Sequence, residues 1–386
     1  MRRYSLDKEG NIKLLKKEVE PRLLPKLYTD GSQIKRADTG EVVELKGLNV
    51  AIFALEGGLS FEHLLDHGLR KVVDEKWQIN LLRVSLDSKK MDRNKLREID
   101  LLVDYAEING IYILFNPHQV GDNEGNDWLP NQSITDMMGE LAKRYELRNN
   151  ILYQIWNEPQ PHNYLGYENY YDEWKLWLER AKPVAESIRT NNPESIVVVP
   201  GGRFWARDLS WYLQHPFEVK GNSQKILYDV HDYGDLTNPE TNIIYPSTLP
   251  DQPRNLPHTI ALSRAYAKKF MDDGIAPVLF GEFDGSKGNS DEEKELLNSD
   301  RDLRYIIHMF NLINTNDGKG HYSFWSVEEN TGFGLFTNGD YNTLSFRGYL
   351  IYYDLTGKFH PKTPDHIKDL IANSQTQYRL PSAFIE

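Results

Sequence analysis

The chain has 386 residues, 39% of them hydrophobic, a formal net charge of −12 and no cysteine. That apolar content fills a sizeable core, while the absence of cysteine excludes disulfides, thiolate metal sites and cysteine nucleophiles. Net negative charge with scattered basic residues excludes a surface built for nucleic acid and fits a neutral or polyhydroxylated partner.

The start, "MRRYSLDKEG", has two arginines with no apolar run behind them and does not read as a secretory signal. No stretch approaches the roughly 18 apolar residues of a membrane span, so no membrane partner is expected. In "LYTDGSQIKRADTGEVVELKG", turn signals at Asp30-Gly31 and Asp38-Thr39-Gly40 flank Gln33 to Lys35. They predict a small hairpin that caps the bottom of the fold, within an extension covering residues 1–41.

Eight β-rich runs follow: Leu45 to Val50, Asn80 to Leu86, Ile111 to Asn116, Ile151 to Trp156, Ser195 to Val199, Ile226 to Val230, Ala276 to Phe280 and Tyr322 to Trp325. Several are nearly continuous apolar runs, as strands covered on both faces should be. Helical patterns lie between them. Arg93 to Asn109 puts Leu96, Ile99, Leu102, Val103 and Ala106 on one face and ends at Gly110, and "MDDGIAPVLF" repeats that ending at Gly274. The alternation predicts an α/β fold, a (β/α)8 TIM barrel over residues 42–357, with a C-terminal tail, 358–386, packed on it. A doubly wound open sheet ranks second, because "KGLNVAIFALEGG" lacks the G-x-G-x-x-G spacing. Gly234 to His258, rich in Pro, Asn and Thr, reads as an ordered but irregular loop.

In such a barrel the chemistry belongs at the C-terminal strand ends. Arg83 stands in the second strand; Asn116, Pro117 and His118 end the third; Asn157 and Glu158 follow the fourth. His231 and Tyr233 follow the sixth, Gly281 and Glu282 the seventh, and Trp325 ends the eighth. A lone Glu after a strand is usually a solvated loop residue, and a lone His usually a structural one. Convergence at one mouth changes that reading. Glu158 and Glu282 would face each other, and two opposed carboxyl groups are what glycosidic hydrolysis needs: one to protonate the leaving oxygen, one to attack or to activate water. Arg83 and the Tyr233 hydroxyl would hold one of the two ionised; spacing leaves open which.

With these residues in place the sequence resembles glycoside hydrolase family 5, over about residues 27 to 355, most specifically at "WNEP", 156 to 159. The resemblance implies that Glu158 is the acid/base, that Asn157 holds the sugar 2-hydroxyl and that Glu282 of Gly281-Glu282 is the nucleophile. It likewise matches Arg83, His118, His231, Tyr233 and the aromatic floor Trp325. Two positions depart from the common pattern: Arg83-Val-Ser85 stands where many members have Arg-x-Pro, and Asn116 stands where they have Asp.

The expected function is therefore retaining endo-β-1,4-glucanase activity on a polysaccharide. β-Mannanase, another β-glucanase, or a β-glycosidase acting on short oligosaccharides are the alternatives, and a non-catalytic carbohydrate binder is the remote one. Trp128, Trp205 and Trp211, in or near loops after the third and fifth strands, would extend the cleft or serve as ordinary loop packing. No cofactor or metal is expected. A metal-dependent barrel hydrolase would recruit His118 and His231, but it usually has paired histidines ending the first strand, and "GLNVAIFAL" has none. "GSKGN" at 285 to 289 is a weak phosphate signal, better read as a turn. A monomer is expected. A polymer substrate implies an extracellular enzyme, an imported oligosaccharide a cytoplasmic one.

Overall fold

The computed structural model describes residues 4–6, 12–14, 24–54, 60–118, 128–161, 170–219, 225–233, 256–285, 300–314, 320–327, 334–337 and 340–374. Strands β1 (Tyr4–Leu6) and β2 (Ile12–Leu14) pair antiparallel, as do β3 (Leu27–Asp30) and β4 (Gln33–Arg36). The second pair is the hairpin expected from its turn signals, with Gly31 at the tip in the left-handed region (φ 55°).

The eight β-rich runs become β5 (Lys46–Phe53), β6 (Leu81–Leu86), β7 (Tyr112–Pro117), β8 (Ile151–Gln154), β9 (Val197–Pro200), β10 (Ile226–Tyr233), β11 (Val278–Asp284) and β12 (Gly320–Phe324). All pair in parallel and close into a barrel, β12 returning to β5. The fold is the (β/α)8 barrel. The helix Arg93–Ile108 starts at Asp92, whose carboxylate accepts the N–H groups of Asn94 and Lys95, and stops before Gly110 at φ 76°. Among the described residues no helix is long and apolar enough to cross a membrane.

Several strand ends differ from the sequence reading. β8 ends at Gln154, two residues early, whereas β10 and β11 run on through Tyr233 and Asp284. Their ladder continues because a register shift between Val230 and His231 leaves Gly281 as an extra residue opposite it, a β-bulge. His231, Tyr233 and Glu282 are thus the last turns of strands rather than loop residues. Of the Gly234 to His258 loop, residues 234–255 lie outside the described residues, and the remainder opens the helix Leu256–Asp272. The segment 286–289 of "GSKGN" and residues 375–386 of the tail also lie outside them. The helix Asp365–Ser374 buries Ile367, Leu370 and Ile371 in the core outside the barrel wall.

Alternation along each strand divides the barrel interior into layers. Leu81, Leu114, Leu152, Val198, Leu227 and Leu279 pack together low in the barrel with Leu27 and Ile34 of the hairpin and with Leu45. The hairpin therefore plugs the bottom. Two positions further along four of these strands stand Arg83, Asn116, Gln154 and Asp229, all fully buried. An apolar plug below a polar layer leaves the top as the place where water and substrate meet the polar groups. Ile34→Ala should lower stability by about 2 to 5 kcal/mol, the cost of truncating a buried aliphatic side chain, with activity at room temperature retained. An unchanged melting temperature would show that the hairpin does not support the barrel.

Candidate active site

Arg83, fully buried in β6, organises the polar layer. Its Nη1 donates to Glu282 Oε1 at 2.7 Å and to Asn49 Oδ1 at 2.8 Å. Its Nη2 donates to Asn157 Oδ1 at 2.7 Å, and its Nε to Gln154 Oε1 at 3.0 Å. One guanidinium thus ties together residues from β5, β6, β8 and its exit, and β11. Asn116 Nδ2 adds a second donor to Asn157 Oδ1 at 3.0 Å, so the Asn157 carbonyl is fixed by two donors.

Glu282 also accepts from the Tyr233 hydroxyl, at 2.8 Å on Oε2, and His118 Nε2 lies 3.9 Å from its Oε1. Burial pushes its carboxyl upward, but His231 and Arg83 oppose that and hold it below the usual carboxylate range. Of the two carboxylates it is Glu282 that Arg83 and Tyr233 both bind.

Glu158, at the exit of β8, meets His231 instead: its Oε1 lies 2.8 Å from His231 Nδ1, and its side chain is 19% exposed. His231 Nδ1 also lies 3.6 Å from Glu282 Oε2, and its Nε2 lies 3.2 Å from Asp229 Oδ2. Burial opposes a charge on this imidazole, yet the surrounding carboxylates, Glu282 first, push it up to about 9. For His118 burial outweighs the pull of Glu282 and Glu158 and lowers it below the ordinary histidine value. Its ring stacks on Trp325 with centroids 5.8 Å apart and planes 20° apart, which fixes the half-buried indole at the mouth.

The bulge aims Glu282. Gly281 donates its N–H to Asp229 Oδ1 at 2.8 Å, and its carbonyl accepts from Asn49 Nδ2 at 2.8 Å. A Cβ at Gly281 would stand 2.2 Å from Asp229 Oδ1, so only glycine fits between strand and carboxylate. Beyond Glu282, Arg347 clamps Asp284 at 2.6 Å and Asp302 at 2.7 Å, anchoring the end of β11 from outside the barrel.

Eight residues singled out by sequence are thereby brought together: Arg83, His118, Asn157, Glu158, His231, Tyr233, Glu282 and Trp325. Trp128 reaches the site through its backbone, its carbonyl accepting the Gln160 N–H at 3.2 Å two residues after Glu158. Trp205 (φ 57°) lies between Phe204 and Ala206 in a left-handed run, and the Ala206 carbonyl accepts the His231 N–H at 3.2 Å. Trp211 serves as packing, stacked on Trp174 of the helix Tyr170–Asn191 with centroids 5.8 Å apart. Sequence reasoning missed Asn49, Gln154 and Asp229. Their signal was a polar residue interrupting an apolar strand at the barrel's inward period: "GLNVAIF", "ILYQIW", "YDVHDY".

Glu158, His231 and Glu282 place ligand-type atoms within 4.8 Å of one another, a spacing that would also suit a cation. Arg83 already supplies positive charge to Glu282, and His231 Nδ1 stands against Glu158.

The family model for cellulase (glycosyl hydrolase family 5) matches residues 69–331, more than half of the chain. The chain belongs to glycosyl hydrolase family 5. Curated relatives include an endoglucanase of Clostridium saccharobutylicum, 23% identical over 212 residues, and endoglucanase A of Butyrivibrio fibrisolvens, 26% identical over 218. These matches cover 53% and 54% of this chain but 42% and 45% of those proteins, so the chain spans under half the length of either relative. Among solved structures, a β-glucanase from Saccharophagus degradans superposes with a TM-score of 0.63 at 19% identity, covering 86% of this chain and 93% of that one. The catalytic domain of the major endoglucanase of Xanthomonas campestris pv. campestris gives 0.61 at 18% identity, covering 86% and 100%. They share the family 5 chain's barrel.

Proposed function

We propose that this protein is a retaining glycoside hydrolase that cleaves β-1,4-linked glucan internally by double displacement, with no cofactor. The observation that carries the reading is the asymmetry of the carboxylate pair. Glu282 and Glu158 have oxygens within 4.8 Å of each other, and one is held ionised by Arg83 and Tyr233 while the other is partly exposed against His231. Retaining glycosidases keep their carboxyl groups about 5 to 5.5 Å apart, whereas inverting ones need about 6.5 Å or more to admit a water.

Glu282 attacks the anomeric carbon as Glu158 gives its proton to the departing oxygen. Glu158 then takes a proton from water, and the hydroxide attacks the glycosyl ester, releasing sugar of retained configuration. Asn157, its carbonyl occupied by Arg83 and Asn116, offers its amide to the sugar 2-hydroxyl. Trp325 gives the pyranose C–H face a flat apolar floor. The choice of glucan follows the curated relatives' names and the Saccharophagus degradans β-glucanase, solved in complex with cellotetraose. A polymer substrate places the enzyme outside the cell, working as a monomer.

The test is reducing-sugar release from carboxymethyl cellulose, barley β-glucan, xyloglucan, glucomannan and galactomannan, with viscosity followed in parallel. Release from the first two with an early fall in viscosity is expected. Release confined to galactomannan would move the substrate to β-mannan, and binding with no release from any glycan would leave a carbohydrate-binding protein.

A further inference from the structure

Phe204, Trp205 and Ala206, in the turn that follows β9, stand at φ 51°, 57° and 60°. Residues other than glycine normally enter this left-handed region singly, and such strain persists only where the surrounding contacts over-determine it. Here they come from Arg203, which is buried at the head of the turn and has no part in the mechanism above. Its Nε lies 2.5 Å from Glu173 Oε2 of the helix Tyr170–Asn191, and its Nη1 lies 3.5 Å from Asp208 Oδ2. Its guanidinium carbon sits 4.8 Å from the ring centroid of Tyr170 and 4.6 Å from that of Phe204. The Arg207 N–H closes the turn on the Arg203 carbonyl at 3.1 Å.

We propose that Arg203 is a positioning residue for the acid/base: by pinning the left-handed turn to Glu173 and Asp208 it sets the Ala206 carbonyl, which holds the backbone of His231 and through it the carboxyl of Glu158. This rests on the reading of Glu158 as the acid/base. β9 ends at Pro200, and although the Gly201 N–H still bonds the Asp229 carbonyl at 2.9 Å, the chain then leaves β10. It returns at Ala206, bridged to Gly201, whose carbonyl partner role toward β10 passes to Ala206: the Ala206 carbonyl accepts the His231 N–H at 3.2 Å, where a longer β9 would have supplied the acceptor. On the β11 side the ladder is interrupted at His231 by the bulge at Gly281. The bond from the turn therefore bears on where the His231 ring stands, with its Nδ1 2.8 Å from Glu158 Oε1.

The clamp also ties the turn to the helix that follows the acid/base strand. Gly202 lies so close to that helix that a Cβ there would stand 2.2 Å from the Trp174 ring. Burial pushes the Glu173 carboxyl up, and Arg203 opposes it, so removing the arginine alone would strand a buried acid. Replacing Glu173 by glutamine at the same time avoids that cost and leaves the turn without its anchor.

In the double variant Arg203→Met/Glu173→Gln, kcat/KM on β-glucan should fall about 10- to 100-fold, the cost of a misplaced catalytic group. For a 2,4-dinitrophenyl β-cellobioside, whose leaving group needs no proton, kcat/KM should fall less than about threefold. A merely structural role would slow both substrates alike. Glu173→Gln alone keeps the size of the side chain and leaves Arg203 beside Asp208; it should show the same bias at smaller magnitude, and it serves as the test if the double variant does not fold. Adding Ala206→Gly to either variant should recover about threefold or more on β-glucan, because glycine takes the left-handed conformation at no steric cost. Wild-type rates on β-glucan, equal losses on the two substrates, or no recovery with glycine would overturn the proposal. Glu158→Ala keeps the two readings apart. If it is fully active on glucan, the assignment of the acid/base fails. If it spares only the dinitrophenyl substrate while the Arg203 variant behaves as wild type, the Arg203 inference alone fails.

Discussion

Glu282→Ala should abolish glucan hydrolysis, reducing turnover by on the order of 10⁴-fold or more, since removing a covalent nucleophile leaves only binding and the remaining electrostatics. The expectation follows from how the side chain is held. It is almost fully buried, where a lone carboxylate would be neutral, yet Arg83 at 2.7 Å and Tyr233 at 2.8 Å bind its two oxygens, and His231 lies beyond. Several groups converge to keep one carboxylate charged and oriented. Their cost is justified chemically if it must attack carbon. In the alanine variant the space left by the carboxylate lies beside Arg83, which suits a small anion. Azide with an activated β-glucoside should therefore restore turnover and yield the α-glycosyl azide, because a single direct displacement inverts. The wild-type product should keep the β-configuration in the first minutes of an NMR time course. Full activity of Glu282→Ala, or an initial α-product from the wild type, would sink the double-displacement mechanism.

Most of this site was legible because barrel topology turns scattered letters into one cluster. Glu158 and Glu282 are 124 positions apart, and neither alone differs from a solvated loop acid; only the order of the strands brings them face to face. The hairpin was legible for a local reason, its paired turn signals. The polar layer was not. Asn49, Gln154 and Asp229 each sit among apolar neighbours that face outward, so the runs look like uniformly buried strands until the inward period is separated from the outward one. Nor could composition show the bulge at Gly281, which depends on a carboxylate 52 positions earlier occupying the space of a Cβ. Strand ends were misjudged where this bulge prolongs the pairing of β10 with β11 beyond the apolar residues.

Arg83 offers the second large effect, because it is both the counter-charge of Glu282 and the tether of Asn157, Gln154 and Asn49. Arg83→Met removes both functions. The burial that already pushes Glu282 upward then loses one of its main opponents, leaving His231, the more distant His118 and the Tyr233 hydroxyl, and the carboxyl pKa rises. The active form is the carboxylate, so kcat/KM is lost as pH falls through that pKa, and the acid limb should move up by about one to three units. Stability changes in the same sense. A carboxyl held below its unfolded value stabilises the fold above that value and loses the contribution as pH falls. With the folded pKa raised, neutral pH no longer brings the gain, and an uncompensated buried charge costs about 3 to 5 kcal/mol. Arg83→Lys separates charge from geometry. A lysine ammonium keeps a cation beside Glu282 but cannot span Asn157 and Gln154 together, lacking the guanidinium fork. Its acid limb should stay near the wild-type position while kcat falls, because Asn157 is no longer held against the sugar. If the methionine and lysine variants show the same acid limb, the charge of Arg83 is not what keeps Glu282 ionised.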